Sequence, residues 1–233
     1  MKTKTLLCSF LLASLFGSLS LFSQSETRQV GAFDKLNVEG PFNVELIEGE
    51  AGTVQLQGNR TDLESIITKV SQNTLVIKQK KGSWFSPAKM GSITLTIPIN
   101  TLSRVTLSGS GDITADFPIE VDQFELILSG SGLIKMLLEA NQVEATLTGS
   151  GQIKLSGQAQ QTHFKVTGSG HLKTKELLSQ NADSKITGSG SIVLHAKKNL
   201  MAAVTGSGHI RCYGNPKEHK QLLTGSGSIV LKD

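Results

Sequence analysis

The chain has 233 residues, a formal net charge of +4 at pH 7 and two cysteines. This small positive charge argues against nucleic acid or an anionic membrane as the main partner. Since one cysteine lies close to the N-terminus in an apolar leader, an intramolecular disulfide framework is also excluded.

Residues 1–23 have the pattern of a secretory signal peptide. Two lysines precede an uncharged apolar stretch, Thr5–Phe22, and the chain becomes polar at Gln24. An uncleaved anchor is the alternative, because the apolar stretch is nearly long enough to span a bilayer. Cleavage removes two lysines, no acidic residue and Cys8, so the formal charge falls to +2. We expect an exported protein of the periplasm, outer membrane or cell exterior, with no membrane span after cleavage.

Residues 24–104 are predicted to form an irregular β-rich section that caps the repeats following it. Apolar and polar residues alternate in five short segments, which predicts strands with one buried face: Leu36–Val38, Phe42–Leu46, Val54–Leu56, Leu75–Ile77 and Ile93–Ile97. Thr61–Glu64 matches a capping box and predicts a short helix that continues through Ile67. Terminal units of repeat proteins cover the open edge of the stack, and we expect that role here.

The segment Lys80–Met90, between two of these predicted strands, contains the only tryptophan of the sequence. Aromatic side chains beside cations in a loop suit sugar stacking or a protein contact. The candidate binding residues of this loop are Lys80, Lys81, Trp84, Phe85 and Lys89. The alternative is that Trp84 folds back and fills a local gap.

Residues 105–233 contain seven copies of Gly-Ser-Gly, whose first glycines are 18–21 residues apart. A fixed period near 20 residues is typical of a solenoid. Apolar residues recur two positions before and two positions after every copy. We therefore predict an all-β fold, a parallel β-helix of about seven coils, whose core consists of two internal stacks: Leu107, Leu128, Leu147, Val166, Ile186, Val204 and Leu223, and Ile113, Ile134, Ile153, Leu172, Ile192, Ile210 and Ile229.

The two corners of each coil are expected to differ. The glycine corner is constant, which predicts a backbone conformation closed to other residues or a close approach to the next coil. The segments that return to the next coil vary in length and polarity, so they are predicted to be surface loops.

Motifs for catalysis and cofactors are missing from the sequence. It contains no dinucleotide fingerprint, no hydrolase elbow and no histidine pair with metal-site spacing. His171 and His209 share one repeat position but lie two coils apart, too far to share an ion. We predict no catalytic residue, no metal site and no cofactor. Cys212 occupies the repeat position of Leu155 and is predicted to be a buried thiol.

A row of basic residues occupies one outward repeat position, at Lys135, Lys154, Lys173 and Arg211. One interpretation is a solvated surface that protects a sheet edge. The other is a binding track for an acidic glycan or for anionic lipid head groups.

Several segments together resemble the family of auto-transporter adhesins with a head GIN domain, exported proteins of Gram-negative bacteria. The most specific is the recurring [Ser/Thr]-Gly-Ser-Gly-x-[Ile/Leu], and the others precede it: Phe33–Val38, Phe42–Leu46, Leu63–Ile67, Leu75–Ile77, Ile93–Pro98 and Leu102–Leu107. The resemblance covers nearly all of residues 30–233. It implies a two-part β-helical fold in the cell envelope and supplies no site residues.

The leading prediction is a non-enzymatic envelope or surface protein for adhesion, ligand binding or structural support, with a surface glycan or an envelope protein as partner. The first alternative is a polysaccharide-processing enzyme, because carbohydrate lyases and hydrolases use β-helices. Convergence of two carboxylates, or of a carboxylate and a basic residue, in one cleft would favour it. A remote alternative is ice binding by the hydroxyls beside the glycines, although glycine predicts a bend there: Thr148, Ser150, Thr167, Ser169, Thr187, Ser189, Thr205 and Ser207.

Overall fold

The computed structural model describes residues 24–80 and 92–232, which form eighteen strands and one short helix, α1, Arg60–Glu64. The first eight strands are β1 Gln24–Gln29, β2 Lys35–Glu39, β3 Asn43–Glu48, β4 Thr53–Gly58, β5 Ile66–Ser71, β6 Thr74–Gln79, β7 Thr94–Ile99 and β8 Arg104–Gly109. The remaining ten are β9 Asp112–Gly130, β10 Leu133–Gly149, β11 Gln152–Gly168, β12 His171–Thr174, β13 Leu177–Gly188, β14 Ser191–His195, β15 Asn199–Gly206, β16 His209–Tyr213, β17 Glu218–Thr224 and β18 Ser228–Lys232.

The predicted parallel β-helix is confirmed. Strands of successive coils pair in parallel and are in register at the glycine corners, so that Gly130 lies beside Gly109 and Gly206 beside Gly188. Between β9 and β10 the register shifts once, between Met136 and Leu137. Each coil places one strand before its glycine corner and one after it. We call the two resulting surfaces the pre-corner face and the post-corner face.

Both predicted internal stacks are buried, because in-register coils place equivalent side chains on top of one another. On the pre-corner face one row of inward side chains, the pre-corner row, crosses the whole molecule: Ile77, Val38, Leu107, Leu128, Leu147, Val166, Ile186, Val204 and Leu223. Every member from Ile77 to Val204 is buried, and only Leu223 is exposed. The stack after the corners is buried as far as Ile210, and Ile229 in the last coil is half-buried.

The prediction that the returns are surface loops is wrong for the first three coils. Strands β9, β10 and β11 run on through the return segments and build a third face. Ile119 of β9 and Leu138 of β10 point inward there and are buried, and Leu177 of the fourth coil continues their row at the start of β13. The polarity of the outward residues conceals this alternation, and the neighbouring coil supplies the backbone pairing that a lone strand lacks.

The corner glycines meet both predicted requirements. Gly188 has a φ of +121°, and a Cβ atom on it would lie 2.5 Å from the carbonyl oxygen of Gly168 in the preceding coil. Gly190 is crowded without a positive φ, since its Cβ would lie 2.6 Å from the oxygen of Gly170. Stacked coils therefore exclude side chains at both glycine positions.

The N-terminal section extends the stack and then closes it. β2 and β3 pair in parallel with β8 and β9 on one side and with β6 and β7 on the other. Antiparallel strands follow: β5 pairs with β6, β4 with β7, and β1 with β4. A domain boundary at residue 104 stays a prediction, and strands from its two sides pair directly.

The predicted capping box at Thr61–Glu64 does not begin the helix. The residue at the N-cap is Asn59, whose side chain makes no capping hydrogen bond, and α1 ends at Glu64. Ile66 and Ile67 belong to β5 instead, because pairing of β5 with β6 buries Ile66. Tertiary pairing therefore overrides a weak local helix signal.

Candidate ligand-binding groove

Lys135, Lys154 and Lys173 form the centre of a continuous basic row on the post-corner face. Pairing of β10 with β11 and of β11 with β12 sets Lys135 beside Lys154 and Lys154 beside Lys173. Neighbouring coils are about 4.8 Å apart. The three exposed lysines line a groove of about 330 Å³ together with Lys175, Glu176, Ser156, Val193 and the edges of Met136 and Leu155. We call this groove the lysine groove.

The charges of the lysine groove are only partly compensated. The Nζ atom of Lys135 lies 2.7 Å from Oδ1 of Asp116, in an ion pair whose two side chains are both exposed. The Nζ atom of Lys175 lies 4.1 Å from the ring centroid of Tyr213, in a cation–π contact. Lys154 and Lys173 have no ion pair within the described residues. The groove therefore presents a local excess of positive charge.

The position of the row does not fit the edge-protection interpretation. Lysines that blunt a sheet edge lie on strands with one unpaired side. β10 is paired on both sides, with β9 and β11, and the lysine of β12 lies between β11 and β14. The row therefore crosses the interior of a sheet face.

The other sequence-predicted site residues lie apart from this groove. Arg211 shares the row but is separated from Lys173 by Val193. Lys80 donates from Nζ to the carbonyl oxygen of Glu64 at 2.6 Å, beside α1 at the N-terminal end. Lys81, Trp84, Phe85 and Lys89 lie outside the described residues, as do residues 1–23. The binding role of the Lys80–Met90 loop stays a prediction.

A second groove, of about 480 Å³, was not anticipated from the sequence. Gln161, Asn181 and Asn199 line it, and they belong to a column of amide side chains at the turn onto the pre-corner face: Gln123, Gln142, Gln161, Asn181 and Asn199. Nδ2 of Asn199 donates to Oδ1 of Asn181 at 2.7 Å. His163, Asp183, Glu218 and His219 also line this groove. Each amide precedes its corner glycine by seven residues, a constant offset that would have revealed the column.

Desolvation shifts the pKa of two titratable groups, Cys212 and His195. Desolvation raises the pKa of the Cys212 thiol to about 11, so the predicted buried thiol is confirmed and is not a nucleophile near neutral pH. Desolvation, with a smaller contribution from the charge of Lys197, lowers the pKa of His195.

Among the described residues, the other rows of polar side chains do not bring catalytic or metal-binding groups together at one point. His171 and His209 each contact a serine of the next coil, with Nδ1 2.8 Å from Oγ of Ser191 and 2.9 Å from Oγ of Ser228. Within the described part of the chain no three His, Cys, Asp or Glu side chains gather as metal ligands would. The threonine and serine hydroxyls lie on the two sides of a glycine with positive φ, so they flank a bend.

The described strands define a β-solenoid with a row of lysines across its post-corner face. The family model described as "Putative auto-transporter adhesin, head GIN domain" matches residues 32–216. The chain belongs to this family, as the resemblance of its repeats implied. No curated protein matches the chain.

Solved structures from Bacteroides and Parabacteroides species share the fold. A putative adhesin from Bacteroides fragilis matches with a TM-score of 0.85 and 22% identity, over 91% of this chain and 98% of that one. A putative lipid binding protein from Parabacteroides distasonis has a TM-score of 0.74 and 22% identity, over 90% and 96% of the two chains. A putative adhesin from the same organism has a TM-score of 0.73 and 21% identity, over 90% and 96%. At such identities these similarities establish the fold.

No helix in residues 24–80 or 92–232 has both the length and the apolar character that a membrane span requires.

Proposed function

We propose that this protein is an exported, non-enzymatic surface protein that binds an acidic glycan along the lysine groove. The observation that carries the proposal is the register of Lys135, Lys154 and Lys173 in three adjacent coils. Membership of the adhesin family supports a role in attachment at the cell surface.

Three stacked lysines are unfavourable for the unliganded solenoid. Unit charges about 4 Å apart repel each other by roughly 1 kcal/mol even in water. The same row accommodates Thr114 and Val193 in other coils, so the fold does not require a cation at this position. A ligand with regularly spaced carboxylates removes this repulsion and gains attraction from each lysine.

The shape and the lining of the groove favour a linear sugar polymer over a lipid surface. The row follows the solenoid axis, so successive coils offer equivalent contacts to successive units of a chain. Ser156 and Glu176 provide hydrogen-bonding groups for sugar hydroxyls beside the cations. Binding in a bilayer interface requires exposed apolar side chains next to the charges. The apolar residues of this groove do not project in that way, because Met136 and Leu155 are buried and Val193 is half-buried.

The enzymatic alternative has one feature in its favour, the presence of Asp183 and Glu218 in the second groove. A general acid of a glycosidase is a carboxyl group in an apolar, desolvated site. Both of these carboxylates are exposed and lie two coils apart by register. This arrangement supports binding over catalysis.

The test is titration of the purified chain with oligogalacturonate, an acidic linear glycan, against neutral dextran of equal length. We expect oligogalacturonate to bind and its affinity to fall as salt rises, because exposed charges are screened. The double variant Lys154→Gln/Lys173→Gln should lose up to about 2 kcal/mol, roughly thirtyfold in Kd.

The matched control is Lys165→Gln/Lys185→Gln, which removes two exposed, in-register lysines from the pre-corner face. It should leave the affinity unchanged. Equal losses in the two double variants would show that only net charge matters and would refute the groove. Binding to phosphatidylglycerol vesicles without binding to oligogalacturonate would assign the groove to lipid head groups instead.

A further inference from the structure

Among the described residues, no strand covers the two strands of the last coil, β17 and β18. Within the described residues β17 pairs only with β15, and β18 only with β16, so each has a free backbone edge. Every residue of β17 is exposed. The exposed apolar side chains include Leu222 at 64%, Leu223 at 48% and Val230 at 37%. A free, apolar strand edge is a site for pairing with another chain.

The opposite end matches this apolar edge poorly. At that end β5 covers β6, and β4 and β1 cover β7, all in antiparallel pairing. The outermost strands there offer a polar or occupied edge, because β1 contains no apolar residue and Arg28 donates to the carbonyl oxygen of Ile66 on β5. Tail-to-tail contact, in which two open ends meet around a two-fold axis, leaves both caps in place.

We propose that two copies of this chain pair through their last coils around a two-fold axis that passes through the corner at Ser226. Such an axis exchanges the pre-corner and post-corner faces and reverses strand direction. β17 of each copy then lies antiparallel to β18 of the other, and both free edges of both copies are paired.

The residues that this symmetry sets opposite each other are complementary. Leu223 faces Ile229 of the partner subunit inside the core, and Leu222 faces Val230 of the partner subunit on the outside. Thr224 faces Ser228 of the partner subunit next to the axis. Leu222 follows Lys165, Lys185 and Ala203 in an outward row, so the row changes from cations to apolar residues toward the last coil and ends at an apolar side chain that is 64% exposed.

The proposed dimer contact has apolar side chains at its centre and leaves no strand edge of the last coils unpaired. Lys220 faces Lys232 of the partner subunit at the solvent-exposed outer margin, where salt screens the repulsion. We therefore expect the dimer to persist or tighten as salt rises, in contrast to glycan binding. A two-fold contact uses up both open ends, so association stops at two copies. The dimer carries two lysine grooves and so favours multivalent attachment.

The first experiment measures the mass of the purified full chain by light scattering at micromolar concentration. A dimer is expected, and a monomer would overturn the proposal. Leu222→Glu replaces an apolar cross-strand contact with Val230 of the partner subunit by a carboxylate at two symmetric sites, and should weaken the dimer on the order of tenfold. Ala203→Glu, in the same row one coil away, is the matched control and should remain dimeric.

A rescue distinguishes lost pairing from misfolding. The double variant Leu222→Glu/Val230→Lys places opposite charges together at both sites and should restore the dimer, whereas a misfolded coil would stay monomeric. The proposal fails if the double variant is no more dimeric than Leu222→Glu alone.

The register is tested by disulfide formation in a Cys8→Ser background, since Cys212 is buried and does not compete. A mixture of Leu222→Cys and Val230→Cys chains should form a cross-linked pair, because directly opposite residues of antiparallel strands lie within disulfide reach. Neither variant should cross-link with itself. Equal cross-linking of Leu222→Cys alone would mean that β17 pairs with β17, and would refute this axis.

Discussion

The two ends of the pre-corner row, Ile77 and Leu223, show how burial is decided in a solenoid. Both are large apolar residues at equivalent inward positions, yet Ile77 is 0% exposed and Leu223 is 48% exposed. Ile77 lies under antiparallel strand β5, whereas no described strand lies beyond Leu223. An inward position is therefore buried only when a further layer covers it, and the residue type by itself does not decide this.

At the N-terminal end, the covering layer consists of antiparallel strands that are close to one another in sequence. Side-chain contacts hold these strands together. Arg28 of β1 donates from Nη1 to the carbonyl oxygen of Ile66 and from Nη2 to that of Leu63, both at 2.8 Å. Glu26 accepts from Nε of the same guanidinium at 2.8 Å. One partly buried arginine thus joins β1, α1 and β5. Within the described residues, no side chain ties a covering strand onto the last coil in this way.

The largest expected effect comes from placing a charge at the two ends of this row. Ile77→Asp buries an unpaired carboxylate beneath the cap and should reduce the free energy of unfolding by several kcal/mol. Leu223→Asp leaves its carboxylate in contact with water and should cost about 1 kcal/mol or less. Thermal or denaturant melts of both variants measure the difference.

Because Leu223 also lies in the proposed dimer contact, these melts are run over a concentration series, and the values extrapolated to the monomer are compared. Similar losses at the two ends would show that the last coil is covered in the monomer, and the comparison of the ends would then be wrong.

The next largest effect concerns the corner glycines within the stack and at its open end. Gly188→Val forces a side chain into a positive φ and against the preceding coil, and each of these problems costs about 1–3 kcal/mol. Gly225 also has a positive φ, but its coil can shift outward, so Gly225→Val should cost less. Ser189→Ala, between two glycines and exposed, should change the melting temperature little. Equal melting temperatures for Gly188→Val and Ser189→Ala would contradict the close approach of the coils.

The smallest of the three effects tests the cap. Arg28→Met leaves two carbonyl oxygens without their charged donor and should cost about 1.5–3 kcal/mol. Arg60→Met removes an exposed i,i+4 ion pair with Glu64 and should cost about 0.5 kcal/mol or less. Hydrogen exchange should show faster opening of β1 and β5 in Arg28→Met while the central coils stay protected. A uniform increase of the hydrogen-exchange rate over all coils would mean that the N-terminal cap and the repeat coils unfold as one unit.

Repetition explains how much of this fold could be predicted. Because seven copies of one motif share a register, a single local rule places Ile113, Ile192 and their equivalents correctly in the core. The same rule placed Lys135, Lys154 and Lys173 in one outward row. The N-terminal section has no such repetition, and there the helix at Thr61 was predicted too long and β1 and β5 were missed.

The sequence by itself determined the coil, its glycine corner, the alternation of inward and outward side chains and the family. These follow from short-range spacing, because residues two apart on a strand share a face and identical coils stack in register. Only the tertiary structure decided that return segments, such as the one containing Ile119, are strands. It also decided that β2 and β3 lie between the pair β6 and β7 and the pair β8 and β9. It placed Lys175 in the lysine groove. It also decided which end is closed. Each of these depends on which distant segment supplies the next layer of backbone hydrogen bonds, and local spacing carries no information about that choice.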